Sequence, residues 1–314
     1  MNVKSNHKIS TQGAIALKSI AILAISAATT LVLPSAVAAP ILAPDLASFA
    51  VLGATGVTNV PVSVIGGNLG SAPNGSIGGG YVFTSGSLQS NTGTAQQAQI
   101  DLDAAITALS AFGVGTNIGM GNLDAYQAAH GGAIAPGTYT VSAASTNLMG
   151  NLFLDGGGDS SAVWVFQFES TLITSSNSNV FVNNVGSGAN VGLYWNVRSA
   201  ATINGDSFAG NVLAHDLISS DGNLTINCGR LLSANGQVTL IQDRVSITGC
   251  AGASGGYDQG VAIGSGGTGG SNGDAVGLVP EPATLALLGL GLLGLTASRR
   301  KPTKKADTLA DYNE

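Results

Sequence analysis

Short runs of alternating apolar and polar residues recur along most of this chain, punctuated by Gly, Asn and Ser. Residues 138–141, 152–154, 163–168, 171–174, 180–182 and 191–197 are such runs, each rich in β-branched or aromatic residues, which predicts strands. Two longer stretches, 210–226 (GNVLAHDLISSDGNLTI) and 229–247 (GRLLSANGQVTLIQDRVSI), are one pattern written twice, offset by 19 residues from Gly210 to Gly229 and by 21 from Ile226 to Ile247. Such self-similarity predicts the stacked coils of a β-solenoid, since one coil buries its apolar side only against the next. Gly66-Gly67-Asn68-Leu69-Gly70 repeats the openings at Gly150-Asn151-Leu152 and Gly210-Asn211-Val212, which assigns residues 43–70 to the same solenoid. The doubled repeat is expected to form its end.

One segment has a different period. Leu102, Ala105, Ile106, Leu109 and Phe112 fall at i, i+3, i+4, i+7 and i+10, a single helical stripe. Thr92 or Thr94 supplies an N-cap and Gly113 a stop, so residues 95–112 are predicted to form one amphipathic helix lying along the solenoid. Residues 113–135 read as an irregular capping insertion. Residues 251–278, rich in Gly and Ser and poor in apolar side chains, read as a flexible linker.

Charge narrows the partners. Residues 40–277 hold thirteen Asp or Glu, three Arg and no Lys. Binding to nucleic acid or an anionic membrane needs clustered cations, which are missing. Both ends read as sorting signals. Lys4, Lys8 and Lys18 precede an apolar run, 20–33, and the small residues Ala36-Val37-Ala38, the layout of a signal peptide spanning 1–38. Near the other end Pro280-Glu281-Pro282 precedes the apolar run 283–297 and then Arg299 and Arg300. That run falls short of the ~20 residues of a comfortable membrane span, and its basic flank favours transient inner-membrane insertion with the tail cytoplasmic. Residues 279–301 resemble the PEP-CTERM sorting signal of Gram-negative bacteria, although a further tail, 302–314, follows. The resemblance implies export to the cell surface or medium and handling by an exosortase-like enzyme. Cys228 and Cys250 are the only cysteines. They close the two repeats at equivalent places in an oxidising compartment, and coils stacked about 4.8 Å apart suit a disulfide.

Taken together, residues 46–59 (LASFAVLGATGVTN), 64–73 (VIGGNLGSAP), 136–141 (PGTYTV), 150–155 (GNLFLD), 163–176 (VWVFQFESTLITSS), 196–214 and 229–240 resemble the DUF3494-type ice-binding proteins of bacteria and fungi, in that family's order. The resemblance covers about 43–250. It implies a mainly β fold, a right-handed β-solenoid of triangular section with one long α-helix alongside and a capping insertion. It also implies a non-enzymatic, antifreeze-like protein that binds an ice crystal surface on one flat face, without a cofactor.

A face for ice needs a rigid array of small side chains, and Thr is restricted at χ1, so little entropy is lost on ordering it. Leu172, Ile203 and Leu240 are expected to point inward. Alternation then sends Thr171, Thr202 and Thr239 outward in one column, with Ile173, Asn204 and Ile241 beside them. Ser219 and Thr58 extend the array if the register allows, and Thr55-Gly56-Val57-Thr58 fits a T-(A/G)-x-(T/N) pattern reported for some members of the family. The alternative function is an extracellular matrix or adhesive protein that binds surface polysaccharide on the same fold. Aromatic or bulky residues interrupting the Thr face would favour it.

Catalytic motifs are weaker. Gly252-Ala253-Ser254-Gly255-Gly256 matches a nucleophile elbow without its strand and helix. Residues 289–294 match a dinucleotide fingerprint inside an apolar tail. Asp155 and Asp159 flank three glycines and read better as a solvated turn than as a calcium site. His130 and His215 lack a partner cluster, and the acids are too scattered for a lyase or glycosidase pair.

Overall fold

The computed structural model describes residues 40–259. The expected signal peptide (1–38), most of the expected linker and the sorting segment lie outside them. Among the described residues no helix is long and apolar enough to cross a membrane.

Among the described residues nineteen strands and three helices follow one another. A short helix α1 (Pro44–Ala47) leads into β1 (Phe49–Gly53), β2 (Gly56–Val60), β3 (Ser63–Gly66), β4 (Asn68–Ser71), β5 (Tyr81–Ser85) and β6 (Leu88–Ser90). The long helix α2 (Gly93–Ser110) comes next, then β7 (Thr116–Ile118), α3 (Leu123–Ala129), β8 (Gly137–Val141) and β9 (Asn151–Asp155). The remaining strands are β10 (Val163–Phe168), β11 (Leu172–Ile173), β12 (Asn179–Asn183), β13 (Gly192–Val197), β14 (Ala201–Ile203), β15 (Ser207–Ala214), β16 (Ile218–Ser220), β17 (Thr225–Ser233), β18 (Gln237–Ile241) and β19 (Arg244–Ser246).

Every pairing between these strands is parallel, as in stacked coils. Each complete coil contributes one strand to each of three faces. The first face runs β7-β8-β10-β13-β15-β17-β1-β4-β6 and the second runs β11-β14-β16-β18-β2. The third runs β9-β12-β15-β17-β19-β3-β5. Strands β15 and β17 turn a corner, so their first halves lie on the third face and their second halves on the first.

The predicted helix is present as α2, shifted two residues toward the N-terminus. Thr92 is the N-cap and its hydroxyl accepts from the Ala95 amide at 3.3 Å. Ala95, Ala98, Leu102, Ala105 and Leu109 form its buried stripe, packed over Phe49, Val165, Tyr194, Leu213 and Leu232 of the first face. Inside the coils Tyr139, Phe166, Trp195 and Phe208 stack in succession, with ring centroids 5.2, 4.6 and 5.0 Å apart. This aromatic spine fills the interior under the helix-covered face.

Three expectations need correction. The doubled repeat is not an end of the solenoid. Its last coil, formed by the second half of β17 with β18 and β19, stacks against β1, β2 and β3 from the start of the chain. Periodicity shows that coils stack but not in which order, and here the N-terminal coils follow the C-terminal one. The segment 113–135 is not irregular, since β7 joins the first face beside β8 and α3 packs on β9. Asp124 and Gln127 of α3 cap the edge of β9, accepting from the amides of Met149, Gly150 and Phe153. Finally, residues 251–259 are not a free linker but pack against the coils, with Tyr257 only 2% exposed. The disulfide Cys228–Cys250 is formed, with its Cα atoms 4.8 Å apart, across neighbouring coils.

Candidate functional site, a hydroxyl ladder on the second face

On the second face small polar residues line up across successive strands. Its register pairs Thr202 with Ser219, Ser219 with Thr239, and Thr239 with Thr58. These four side chains form one outward column at the strand spacing of about 4.8 Å. Thr58 is exposed, and Thr202, Ser219 and Thr239 are half-buried against one another. Thr58 and Thr239 share a hydrogen bond of 3.1 Å between their hydroxyls, and Ser219 donates weakly to Thr202 Oγ1 at 3.4 Å. Gln237 Nε2 donates to Thr239 Oγ1 at 3.3 Å, propping that side chain from two positions back on the same side of its strand.

The column is held flat from below. Leu172, Ala201, Ile218, Val238 and Val57 are successive partners across the same five strands, and each is 0% exposed. Packing at this density locks the strands, so the hydroxyls stand on a stiff support. Leu172, Ile203 and Leu240 are buried inward, as alternation requires.

Thr171 does not join the column. Leu172 pairs with Ala201, and Ile173 with Thr202, so Ile173 occupies the place expected for Thr171. The physical reason is that a shift of two residues keeps every inward side chain inward; only a one-residue slip changes face. Thr55 lies in the turn before β2, where its amide donates to the Gly236 carbonyl at 3.1 Å and its carbonyl accepts from Asn74 Nδ2 at 2.9 Å. Asn204 sits just past β14 and its backbone is engaged by Thr174, whose Oγ1 bonds both its amide and its carbonyl. Ile241 pairs with Val60, so the ladder is flanked by an aliphatic pair. Sequence reasoning passed over Gln237 and Val60, although both lie two residues from a ladder Thr and therefore share its side of the strand.

The groups weighed for other chemistry are dispersed. Asp155 accepts from the Gly157 amide and Asn184 Nδ2, bonds that hold its carboxyl below the usual range and shape a turn. His215 is exposed and bonds Asp216 at 2.9 Å. Ser254 lies in the packed C-terminal segment, with no strand or helix around it. Among the described residues no three His, Cys, Asp or Glu are grouped to hold a metal.

Fold and face together define a class: a β-solenoid with one side closed by a helix and another left flat, uncharged in its central column and lined with hydroxyls. The chain belongs to the ice-binding-like family, whose signature it matches over residues 51–246. It is 34% identical over 270 residues to an ice-binding protein of Nostoc sp. (strain HG1), covering 82% of this chain and 86% of that one. The crystal structure of an ice-binding protein from the Antarctic ascomycete Antarctomyces psychrotrophicus is similar, with a TM-score of 0.57 and 31% identity over 68% of this chain and all of that one. An ice-binding protein from an Antarctic biological consortium superposes equally, with a TM-score of 0.57 and 31% identity over 69% of this chain and 96% of the other. Residues 278–301 match the PEP-CTERM protein-sorting motif, a signal carried by exported proteins of Gram-negative bacteria.

Proposed function

We propose that this protein binds ice through the Thr58–Thr239–Ser219–Thr202 ladder and performs no catalysis. The observation that carries the reading is the register itself, which brings four hydroxyls from four coils into one row on a stiff support. Rigid small side chains lose little rotamer freedom on docking, so more of the contact energy survives as affinity. The relatives named as ice-binding proteins support the same reading. So does the lack of a charged residue in the column.

Binding of surface polysaccharide is the second reading. It calls for aromatics on the Thr face, whereas the exposed stacked pair Phe153–Phe181 belongs to the third face. Ice is therefore favoured. The protein acts at the cell surface or just outside it, after an exosortase-like enzyme has processed the tail at 278–301.

Partition into a growing ice front tests the proposal directly. The parent chain is expected to concentrate in ice, and Thr202→Tyr to lose crystal shaping while retaining its circular dichroism. Shaping that persists in Thr202→Tyr refutes the face assignment, and a parent chain rejected by the ice refutes the function.

A further inference from the structure

Residues 251–259 form a latch rather than the start of a linker. The Tyr257 carbonyl accepts from the Leu193 amide at 3.0 Å and from Asn211 Nδ2 at 2.8 Å. Asp258 forms an antiparallel bridge with Gly192, and the Gln259 amide donates to the Val191 carbonyl at 3.2 Å. Arg230, 1% exposed, binds Asp258 at 3.0 Å, Asn211 Oδ1 at 2.8 Å and the Gly256 carbonyl at 3.0 Å. The same guanidinium also holds the Ala47 carbonyl at the other end of the domain. The path is shaped for close approach: Gly188 meets Gly252 backbone to backbone, and Gly192 leaves the room that the Gln259 carbonyl occupies. A buried, fully hydrogen-bonded ion pair of this kind is stable only when both partners are in place.

The latch fixes the position of Gln259, the last described residue. Val191 and Gly192 stand at the corner where the third face passes into β13 of the first face. In a three-faced coil that corner is opposite the second face, which carries the Thr ladder. The sorting segment follows Gln259 in sequence.

We infer that the protein is a surface-held ice adhesive, fastened along the edge opposite its ladder, so that the ladder meets ice while the tail is held. The inference rests on the proposed ice binding and adds the geometry of attachment. Because Gln259 already lies on the edge away from ice, adhesion does not depend on linker length.

The chain without its export signal, carrying one biotinylated residue, tests this on streptavidin beads against a growing ice front. Beads attached at position 260, directly after the latch, are expected to be retained within about twofold of beads attached at position 277. Beads attached at Ser76, on the ladder side, are expected to be released. Failure of position-260 beads to adhere, while the same chain free in solution partitions into ice, overturns the inference. A free chain that ice rejects overturns the underlying function and the inference with it. Hydrogen exchange gives a second readout. The Leu193 and Gln259 amides are expected to be protected in the parent and to lose protection in Asp258→Ala; exchange at the rate of an unstructured chain in the parent overturns the latch.

Discussion

At the scale of single residues, Asp243 shows how a solenoid corner is held from within. It is 0% exposed, and its carboxylate accepts from Ser220 Oγ and from the amides of Leu224 and Ile241. Burial raises its pKa above the ordinary carboxylate value, while those hydrogen bonds pull the other way. Above the unfolded value of about 3.9, the unfolded chain has released a proton that the folded chain still holds. Stability therefore falls as pH rises through this window and levels off once Asp243 ionises in the fold as well. Asp243→Asn is expected to abolish that slope, although it lowers stability at every pH by leaving a backbone donor unmatched. Urea midpoints of both proteins between about pH 4 and pH 7 check this. The role was not legible beforehand, since Asp243 reads in the chain as a turn residue like its neighbours. Only the stacking of three coils surrounds it.

At the scale of elements, most strands and the inward or outward sense of their side chains were legible, because period two separates the two senses whatever the pairing, whereas β5, β6 and β7 were not foreseen. Register was not, and β11 shows why: Leu172 can oppose Ala201 or Ile203 without turning any residue around. The observed pairing puts Ile173 next to Thr202, which makes a prediction. Ile173→Thr lengthens the hydroxyl row from four members to five on an unchanged support. It is expected to increase the freezing hysteresis measured with a nanolitre osmometer, and a decrease would argue against the row as the contact. The disulfide was legible for the opposite reason, since equivalent positions in successive coils are close whatever their neighbours do. It closes a sequence separation of 22 residues, and its removal by Cys228→Ser with Cys250→Ser should cost about 3 kcal/mol in a denaturant titration.

The whole molecule departs most from what a linear reading supplies, because coil order in space is not coil order in the chain. Arg230 holds Ala47 and Asp258 with one side chain, so the two ends of the domain lie side by side, an arrangement that tolerates circular permutation. Joining Gln259 to Pro40 and opening the chain at Gly131-Gly132, where nothing crowds the backbone, makes the coils from β8 to β6 consecutive and leaves only the edge strand β7 out of order. That permutant is expected to keep its ice partition and to refold faster than the parent in stopped-flow fluorescence, since fewer contacts then close long loops. The natural order has a consequence for export. Thr58 leaves the cytoplasm first and meets Thr239 only when a stretch 181 residues longer has followed it, about 600 Å of extended chain. Until then β1 and β3 stack on β4 and β5 alone and their other side lies open, so a chain caught partway through export carries one ladder residue without the coils that supply the other three. Completion of the ladder thus reports that export has passed residue 239.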